Sequence, residues 1–141
     1  MTPLNAQPIE MLLDEAHISE LFGVLDALIS EGVGIFLLQG DLASGKTTLV
    51  QRYIASKDPA LQATSPTFSL MQQYGNFYHY DLYHHSLEKF LSLGLLESLA
   101  ESGVHFIEWG EDLAGILRNS GYNYRTISIS KQDSKRSYRI S

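Results

Sequence analysis

One eight-residue stretch has the composition and spacing of a phosphate-binding loop. It reads Gly40-Asp41-Leu42-Ala43-Ser44-Gly45-Lys46-Thr47. This is the Walker A pattern of glycine, any four residues, glycine, lysine and then serine or threonine. The backbone N–H groups of such a loop surround phosphates, so side chains have to be absent where the chain turns most tightly. The pattern predicts that a nucleoside triphosphate, with ATP expected, binds here together with Mg²⁺.

The residues at the end of this loop have separate expected roles. Lys46 is expected to reach the β- and γ-phosphate oxygens, and the hydroxyl of Thr47 to bind Mg²⁺. A helix is expected to begin at Lys46 and to direct the positive end of its dipole at the phosphates. Thr48 follows in the same turn and is included among the expected nucleotide contacts.

Two carboxylates come directly after apolar segments that read as strands. Asp81 follows Phe77-Tyr78-His79-Tyr80, and Glu108 follows Val104-His105-Phe106-Ile107. A carboxylate at the carboxyl end of a central strand lies beside the phosphate loop in this architecture. We expect Asp81 to help hold the metal, and Glu108 to contact the metal or position the attacking water. The alternative is that either acid merely caps a loop or helix.

Two further groups of residues leave alternatives open. In Ser65-Pro66-Thr67-Phe68, proline holds the backbone extended, so Thr67 could present its hydroxyl to the γ-phosphate. The segment could equally be a proline turn that starts a strand. His79, His84 and His85 lie near Asp81 but lack a recognisable zinc-ligand pattern, so loop or partly buried histidines are favoured.

The elements that must position these residues alternate between strand and helix patterns. Residues 9–13 read as an edge strand, and Asp14 as the N-cap of a helix with an apolar stripe at helical spacing. The unbroken apolar run 35–38 predicts a strand buried on both faces, and residues 46–56 the helix after the loop. A hairpin turn at Gly75 and Asn76 is expected to join an extended segment to a return strand at 77–82.

The second half of the chain continues the alternation. Residues 87–99 read as helix interrupted at Gly94, 104–107 as a buried strand, and 111–118 as a short helix. Strands are expected at 124–130 and 137–140, joined by a charged turn at 131–136. The pattern predicts an α/β, single-domain P-loop NTPase fold over residues 1–141, with a mixed, mostly parallel sheet flanked by helices.

Composition excludes several classes of function. The formal net charge is −6, and Lys89 is the only lysine or arginine between Asp58 and Leu117, so autonomous nucleic-acid binding is not expected. The chain has no cysteine, which excludes disulfides and thiolate metal sites. No apolar run approaches the ~20 residues of a membrane span, and the N-terminus does not read as a signal peptide. A cytoplasmic protein is therefore expected.

Five sequence blocks together resemble the TsaE (YjeE) family from about residue 14 to the C-terminus. They are the loop with Thr48-Leu49-Val50, Ser65-Pro66-Thr67-Phe68, His79-Tyr80-Asp81-Leu82-Tyr83, Leu93-Gly94-Leu95 and Ile107-Glu108-Trp109. The resemblance implies a small bacterial P-loop ATPase that serves threonylcarbamoyladenosine modification of tRNA next to the anticodon. It implies action with the TsaB and TsaD proteins, of which TsaD with TsaB transfers the threonylcarbamoyl group, and contact with tRNA only through that complex.

The resemblance also assigns site residues. Lys46 and Thr47 would hold phosphate and metal, Thr67, Asp81 and Glu108 would complete the magnesium and water site, and Trp109 would lie beside it. The chain departs from the family where Ala43-Ser44 replaces the usual Gly-Ala. Because alanine does not adopt positive φ cheaply, this departure bears on the fine geometry of the loop and on the rate.

The distribution of arginine suggests slow hydrolysis by the isolated protein. There is no arginine between Arg52 and Arg118, and Arg52 is expected to face away from the loop. Since phosphoryl transfer uses an arginine from the same chain or from a partner, we expect a partner to complete the site.

Three other functions are alternatives to this one. A GTPase would need an Asn-Lys-x-Asp motif, which the chain lacks, and a small-molecule kinase would normally carry a lid with several arginines, a segment that is absent here. An ATP-dependent assembly module with little hydrolysis needs the same loop and stays open.

Overall fold

A sheet of seven strands forms the centre of the computed structural model, which describes residues 7–41, 43–61, 70–83 and 85–141. The strands of this part are β1 Ile9–Leu13, β2 Ile35–Gln39, β3 Met71–Tyr74, β4 Phe77–Asp81, β5 Val104–Glu108, β6 Tyr124–Gln132 and β7 Lys135–Ile140. The helices are α1 Ser19–Ser30, α2 Lys46–Lys57, α3 Leu87–Ser92, α4 Leu95–Ser98 and α5 Ala114–Asn119. Short 3₁₀ turns at Glu15–His17 and Glu111–Leu113 precede α1 and α5.

The strand order is β1-β7-β6-β2-β5-β4-β3. β2 pairs in parallel with β5 and β6, and β5 in parallel with β4. The hairpins β3–β4 and β6–β7 and the pair β1–β7 are antiparallel. Thus β1, β2, β4, β5 and β6 run in one direction, and β3 and β7 run in the other. The predicted mixed, mostly parallel α/β sheet is confirmed, with β1 at an edge as expected.

The hydrophobic pattern explains how the layers form. β2 is apolar without interruption because both of its faces are covered. On one face, α1 and α2 bury an apolar stripe against the strands, including Leu21, Leu25, Val50, Tyr53 and Ile54. On the other face, α3, α4 and α5 cover a second core that includes Phe90, Leu113, Leu117, Tyr80 and Ile107.

The predicted turns are found where the sequence placed them, with one difference. Gly75 at φ 61 opens the β3–β4 turn, and Gly94 at φ 72 separates α3 from α4. The predicted charged turn at 131–136 is wrong, because most of it is strand: Lys131 pairs with Arg136 and Gln132 with Lys135. The turn is only Asp133 and Ser134, and Asp133 adopts φ 57, as a two-residue hairpin requires. The longer hairpin carries Lys131 and Arg136 to the end of the sheet that bears the phosphate loop.

Within the described ranges, no helix is both long enough and apolar enough to cross a membrane.

Acid is expected to destabilise the fold through His105, which is buried on β5. The ring Nε2 lies 3.0 Å from the carbonyl oxygen of Glu101, and Nδ1 lies 2.8 Å from the hydroxyl of Tyr80. Because a carbonyl only accepts, the neutral ring donates from Nε2, and Nδ1 accepts from Tyr80. Burial lowers the pKa of His105 below its ordinary value. The unfolded chain therefore takes up this proton at higher pH than the folded chain, and stability falls as pH drops below about 6.5.

Urea unfolding at pH 7.5 and pH 5.5 measures this effect. Between pH 7.5 and pH 5.5, we expect the free energy of unfolding of the wild type to fall by up to about 1.4 kcal/mol more than that of His105→Gln. His17→Gln is the control, because the exposed His17 has its pKa raised by Asp14 and its removal does not lessen the acid loss. Equal losses in the wild type and His105→Gln would contradict the assignment.

Candidate active site

The loop between β2 and α2 depends on two glycines in conformations that other residues avoid. Gly40 has φ 151 and Gly45 has φ 109. A Cβ on Gly40 would come within 2.6 Å of both the carbonyl oxygen of Ile129 and the hydroxyl of Ser44. Gly45 is the N-cap of α2, so the first N–H groups of that helix point into the loop without acceptors from their own helix. The loop and helix together form an anion-binding arrangement.

Ala43 takes a backbone conformation that is unfavourable for alanine. Its φ is 62, in the left-handed region, where an L-residue costs roughly 1–2 kcal/mol relative to its usual conformations. The neighbouring Ser44 is buried, and its hydroxyl has no hydrogen-bond partner in the part of the chain that is described. The departure from the usual Gly-Ala pair thus falls on a position where glycine would be free of strain.

Lys46 is enclosed by the loop it follows. Its Nζ donates to the carbonyl oxygens of Gly40 at 2.6 Å and of Asp41 at 2.9 Å. The same nitrogen lies 4.1 Å from the ring centroid of Trp109, which also packs against Tyr83. Burial lowers the pKa of Lys46, and nearby carboxylates, Glu108 first, oppose that shift. The ammonium group is therefore at the centre of the loop, where phosphate oxygens could replace the two carbonyls as acceptors.

Glu108 ends β5 and is only 3% exposed. The hydroxyl of Thr47 donates to it and lies 2.8 Å from both carboxylate oxygens. The Nε2 atom of His79 lies 2.5 Å from Oε2. His79 is itself fully buried, and its Nδ1 has no partner within the described ranges. The carboxylate is thus fixed from two sides beside the first turn of α2.

His79 is a contact that sequence reasoning missed. It stands two positions before Asp81 in β4, and Asp81 is in register with Glu108 in the parallel β4–β5 pair. Alternation along a strand places His79 and Asp81 on the same face, and a long side chain reaches its diagonal neighbour across the sheet. The alternation of residues along β4 was therefore the signal in the sequence that could have indicated the contact of His79 with Glu108.

Asp81 caps the turn after β4 and lies in the cleft, where its role toward a metal stays a prediction. Its Oδ1 accepts a hydrogen bond of 3.0 Å from the backbone N–H of Tyr83, so it does cap the turn after β4. It also lines the same cleft as Lys46, Thr47 and Glu108. The parallel ends of β2, β4 and β5 bring these residues to one edge of the sheet, as the sequence predicted.

The cleft has a volume of about 450 Å³. Residues 43–48 form one wall, and Asp81, Glu108, Lys131 and Arg136 complete it. Small-molecule sites commonly have volumes of ~300–1,000 Å³, so a nucleotide can be accommodated.

Lys131 and Arg136 were not among the expected site residues. In sequence they belong to a hairpin far from the loop, and only the sheet order brings the end of that hairpin beside Gly45. Strand alternation puts them on the same face as Ile129 and Tyr138, but no local pattern in the sequence places that face beside the phosphate loop.

The other expected residues are distributed as follows. Thr48 is exposed on the cleft wall, whereas Gly40 and Asp41 contact Lys46 through their carbonyl oxygens. Trp109, with φ 60, contacts Lys46 instead of lining this cleft. Leu42 and Thr67 lie outside the described residues.

The donor set fits magnesium held jointly with phosphate. Thr47, Asp81 and Glu108 offer oxygen atoms, which Mg²⁺ prefers. Across the described ranges, no group of three histidine, cysteine, aspartate or glutamate residues is arranged to hold a metal by itself. Mg²⁺ usually binds through one or two carboxylates, substrate phosphates and water, so such a group is not required.

Comparison with known proteins gives a consistent result. The family model described as "Threonylcarbamoyl adenosine biosynthesis protein TsaE" matches residues 12–139. A protein of Treponema pallidum (strain Nichols) named tRNA threonylcarbamoyladenosine biosynthesis protein TsaE is 40% identical over 98 residues, which cover 67% of this chain and 72% of that protein. A protein of the same name from Nostoc sp. (strain PCC 7120 / SAG 25.82 / UTEX 2576) is 38% identical over 87 residues, covering 55% of this chain and 52% of that protein. The chain therefore spans about half the length of the second relative.

A solved structure shares the architecture. The crystal structure of YdiB from Bacillus subtilis superposes with a TM-score of 0.56 and 21% sequence identity, covering 96% of this chain and 87% of that one. At this level of identity the similarity shows the fold alone.

Proposed function

The chain belongs to the TsaE family, and we propose that it binds MgATP beside its phosphate loop and hydrolyses it slowly in support of threonylcarbamoyladenosine formation on tRNA. The observation that carries the proposal is the partly buried contact of Thr47 with Glu108, next to the enclosed ammonium of Lys46. A lysine and a hydroxyl in the first turn of a helix, with a carboxylate from a neighbouring strand beside them, are groups that phosphoryl-transfer sites use.

Nucleotide binding is assigned to the loop and the first turn of α2. The N–H groups of residues 43–48 would donate to phosphate oxygens, and Lys46 would exchange its two carbonyl acceptors for phosphate. Thr47 and Asp81 would hold Mg²⁺, which when bound neutralises charge on the phosphates. Thr67 is proposed to present its hydroxyl to the γ-phosphate, and the family resemblance adds it to the magnesium and water site.

Glu108 is assigned to the attacking water. Its carboxylate would accept a hydrogen bond from that water and orient it toward the terminal phosphate. His79 would act as a positioning residue, because its Nε2 holds Oε2 in a site from which bulk water is largely excluded. Trp109 would keep Lys46 in place through its ring.

Partners are part of the proposal. TsaB and TsaD would stimulate hydrolysis, and tRNA would be reached only through their complex, since the chain is acidic overall.

Steady-state ATP hydrolysis, measured alone and during titration with the TsaB–TsaD pair, tests the proposal. We expect a basal rate well below the ~1 s⁻¹ of slow kinases and a saturable increase on titration. The TsaB–TsaD pair without this chain is the blank. A hydrolysis rate that does not change when the TsaB–TsaD pair is added would contradict partner stimulation. MgATP binding with no hydrolysis in any mixture would instead favour an ATP-dependent assembly module.

A further inference from the structure

The β6–β7 hairpin places two cations beside the phosphate loop. Lys131 and Arg136 face each other in the antiparallel register. Alternation puts them on the same face as Ile129 and Tyr138, which are buried beneath α1 and α2. Both cations line the cleft. The hairpin therefore extends past the core to the N-terminus of α2.

Arg136 lies against the glycine that begins α2. A Cβ built on Gly45 would stand 3.0 Å from Nε and 3.3 Å from Cδ of Arg136. Gly45 thus leaves the space that the arginine side chain occupies. This close packing fixes where the guanidinium group can reach.

Arg136 lacks the carboxylate partner that Arg52 and Arg139 have among the described residues. Arg52 pairs with Glu15, and Arg139 pairs with Glu10 at 3.5 Å. The Nε atom of Arg136 is buried without a hydrogen bond, and no ion pair joins Arg136 to a carboxylate of the described residues. A buried donor without an acceptor is costly, so the geometry points to an acceptor that the described residues do not supply.

The surrounding charge specifies the kind of acceptor. Lys46, Lys131 and Arg136 converge on one cleft together with the positive end of α2. Like charges at close range repel one another unless an anion lies between them. The carboxylates that line this cleft, Asp81 and Glu108, are not within ion-pair distance of Arg136. Neither of these two carboxylates therefore neutralises the guanidinium group through an ion pair.

We propose that Arg136, supported by Lys131, binds the α- and β-phosphates of the nucleotide and so supplies an arginine from within the chain. This inference rests on the proposed binding of ATP in the same cleft. Arg136 lies outside the arginine-free stretch between Arg52 and Arg118 and adds a guanidinium group to the cleft. An arginine that stabilises the developing charge on the γ-phosphate would still come from a partner.

Calorimetric titration with MgATP and with MgADP tests this role. For Arg136→Ala we expect affinity for both nucleotides to fall by about tenfold to a hundredfold, the loss of a charge-assisted hydrogen bond. Arg136→Lys is expected to recover part of the loss, because it keeps the charge without the planar fork. Arg139→Ala is the matched control on the same strand; its side chain faces Glu10, and we expect wild-type affinity.

Thermal unfolding without nucleotide separates phosphate binding from a structural role. Removal of an unpaired cation beside α2 is expected to leave the melting temperature of the nucleotide-free protein unchanged or raised, while the added stabilisation by ATP shrinks. A variant that binds ATP and ADP like the wild type would overturn the inference. A loss for ATP with ADP unaffected would place the guanidinium at the γ-phosphate and overturn it also. Failure of the wild type to bind either nucleotide would instead refute the proposed function.

Discussion

Replacing Lys46 by methionine is expected to reduce ATP turnover by about a hundredfold to a thousandfold, the largest effect expected of a single substitution in this chain. Lys46 is only 5% exposed and its ammonium group donates within the loop, so its removal leaves the phosphates without this charge. Methionine keeps an apolar stem against Trp109 and removes the charge. Phosphate release and ATP binding by calorimetry measure the two consequences separately, and binding is expected to weaken by about tenfold or more.

Lys89→Met is the matched control, because Lys89 is exposed on α3 and lies outside the cleft wall. It removes the same charge from the chain and is expected to keep wild-type turnover. Circular dichroism of both variants establishes that they fold. Folded Lys46→Met protein with wild-type turnover would refute the assignment of the phosphate site.

Replacing Glu108 by glutamine is expected to lower turnover by about a hundredfold or more while ATP still binds. Glutamine has the shape of glutamate and retains an oxygen that can accept from Thr47, so packing beside α2 is preserved. What it loses is the negative charge that orients and activates water. Single-turnover hydrolysis alongside equilibrium ATP binding reveals this separation of chemistry from affinity.

Glu111→Gln supplies the comparison for this second substitution. Glu111 is exposed, and its charge also acts on Lys46, yet it makes no contact with Thr47. A small loss of turnover at Glu111 and a large loss at Glu108 would show that turnover depends on the position of Glu108 in the site and not only on negative charge near Lys46. Equal effects at the two positions would count against a role for Glu108 in activating water.

The parts of the site that the sequence predicted are those set by short-range rules. Two glycines and a lysine at fixed spacing, placed between a buried strand and a helix, define the loop regardless of the rest of the chain. Asp81 and Glu108 could be paired in advance because parallel strands end at the same edge of a sheet. Each of these inferences needed only local periodicity and one general rule of α/β topology.

The parts that were missed depend on strand order, which local pattern does not encode. β7 is inserted between β1 and β6, and β6 pairs with β2, so the last hairpin reaches a loop that lies far earlier in the chain. The sequence predicts a charged turn at 131–136 between two strands, whereas the strands continue through Lys131 and Arg136. The contact of His79 with Glu108 required both the β4–β5 register and the burial of a polar side chain.

Ala43 has a consequence for how readily the phosphate loop forms. Glycine at this position would adopt φ 62 without strain, but it would also give the unfolded chain more backbone conformations to lose on folding. Alanine restricts the unfolded chain toward negative φ, so the backbone at φ 62 is held by the surrounding loop at a cost of roughly 1–2 kcal/mol. The packing around the phosphate loop therefore has to offset this cost to keep the loop in its observed conformation.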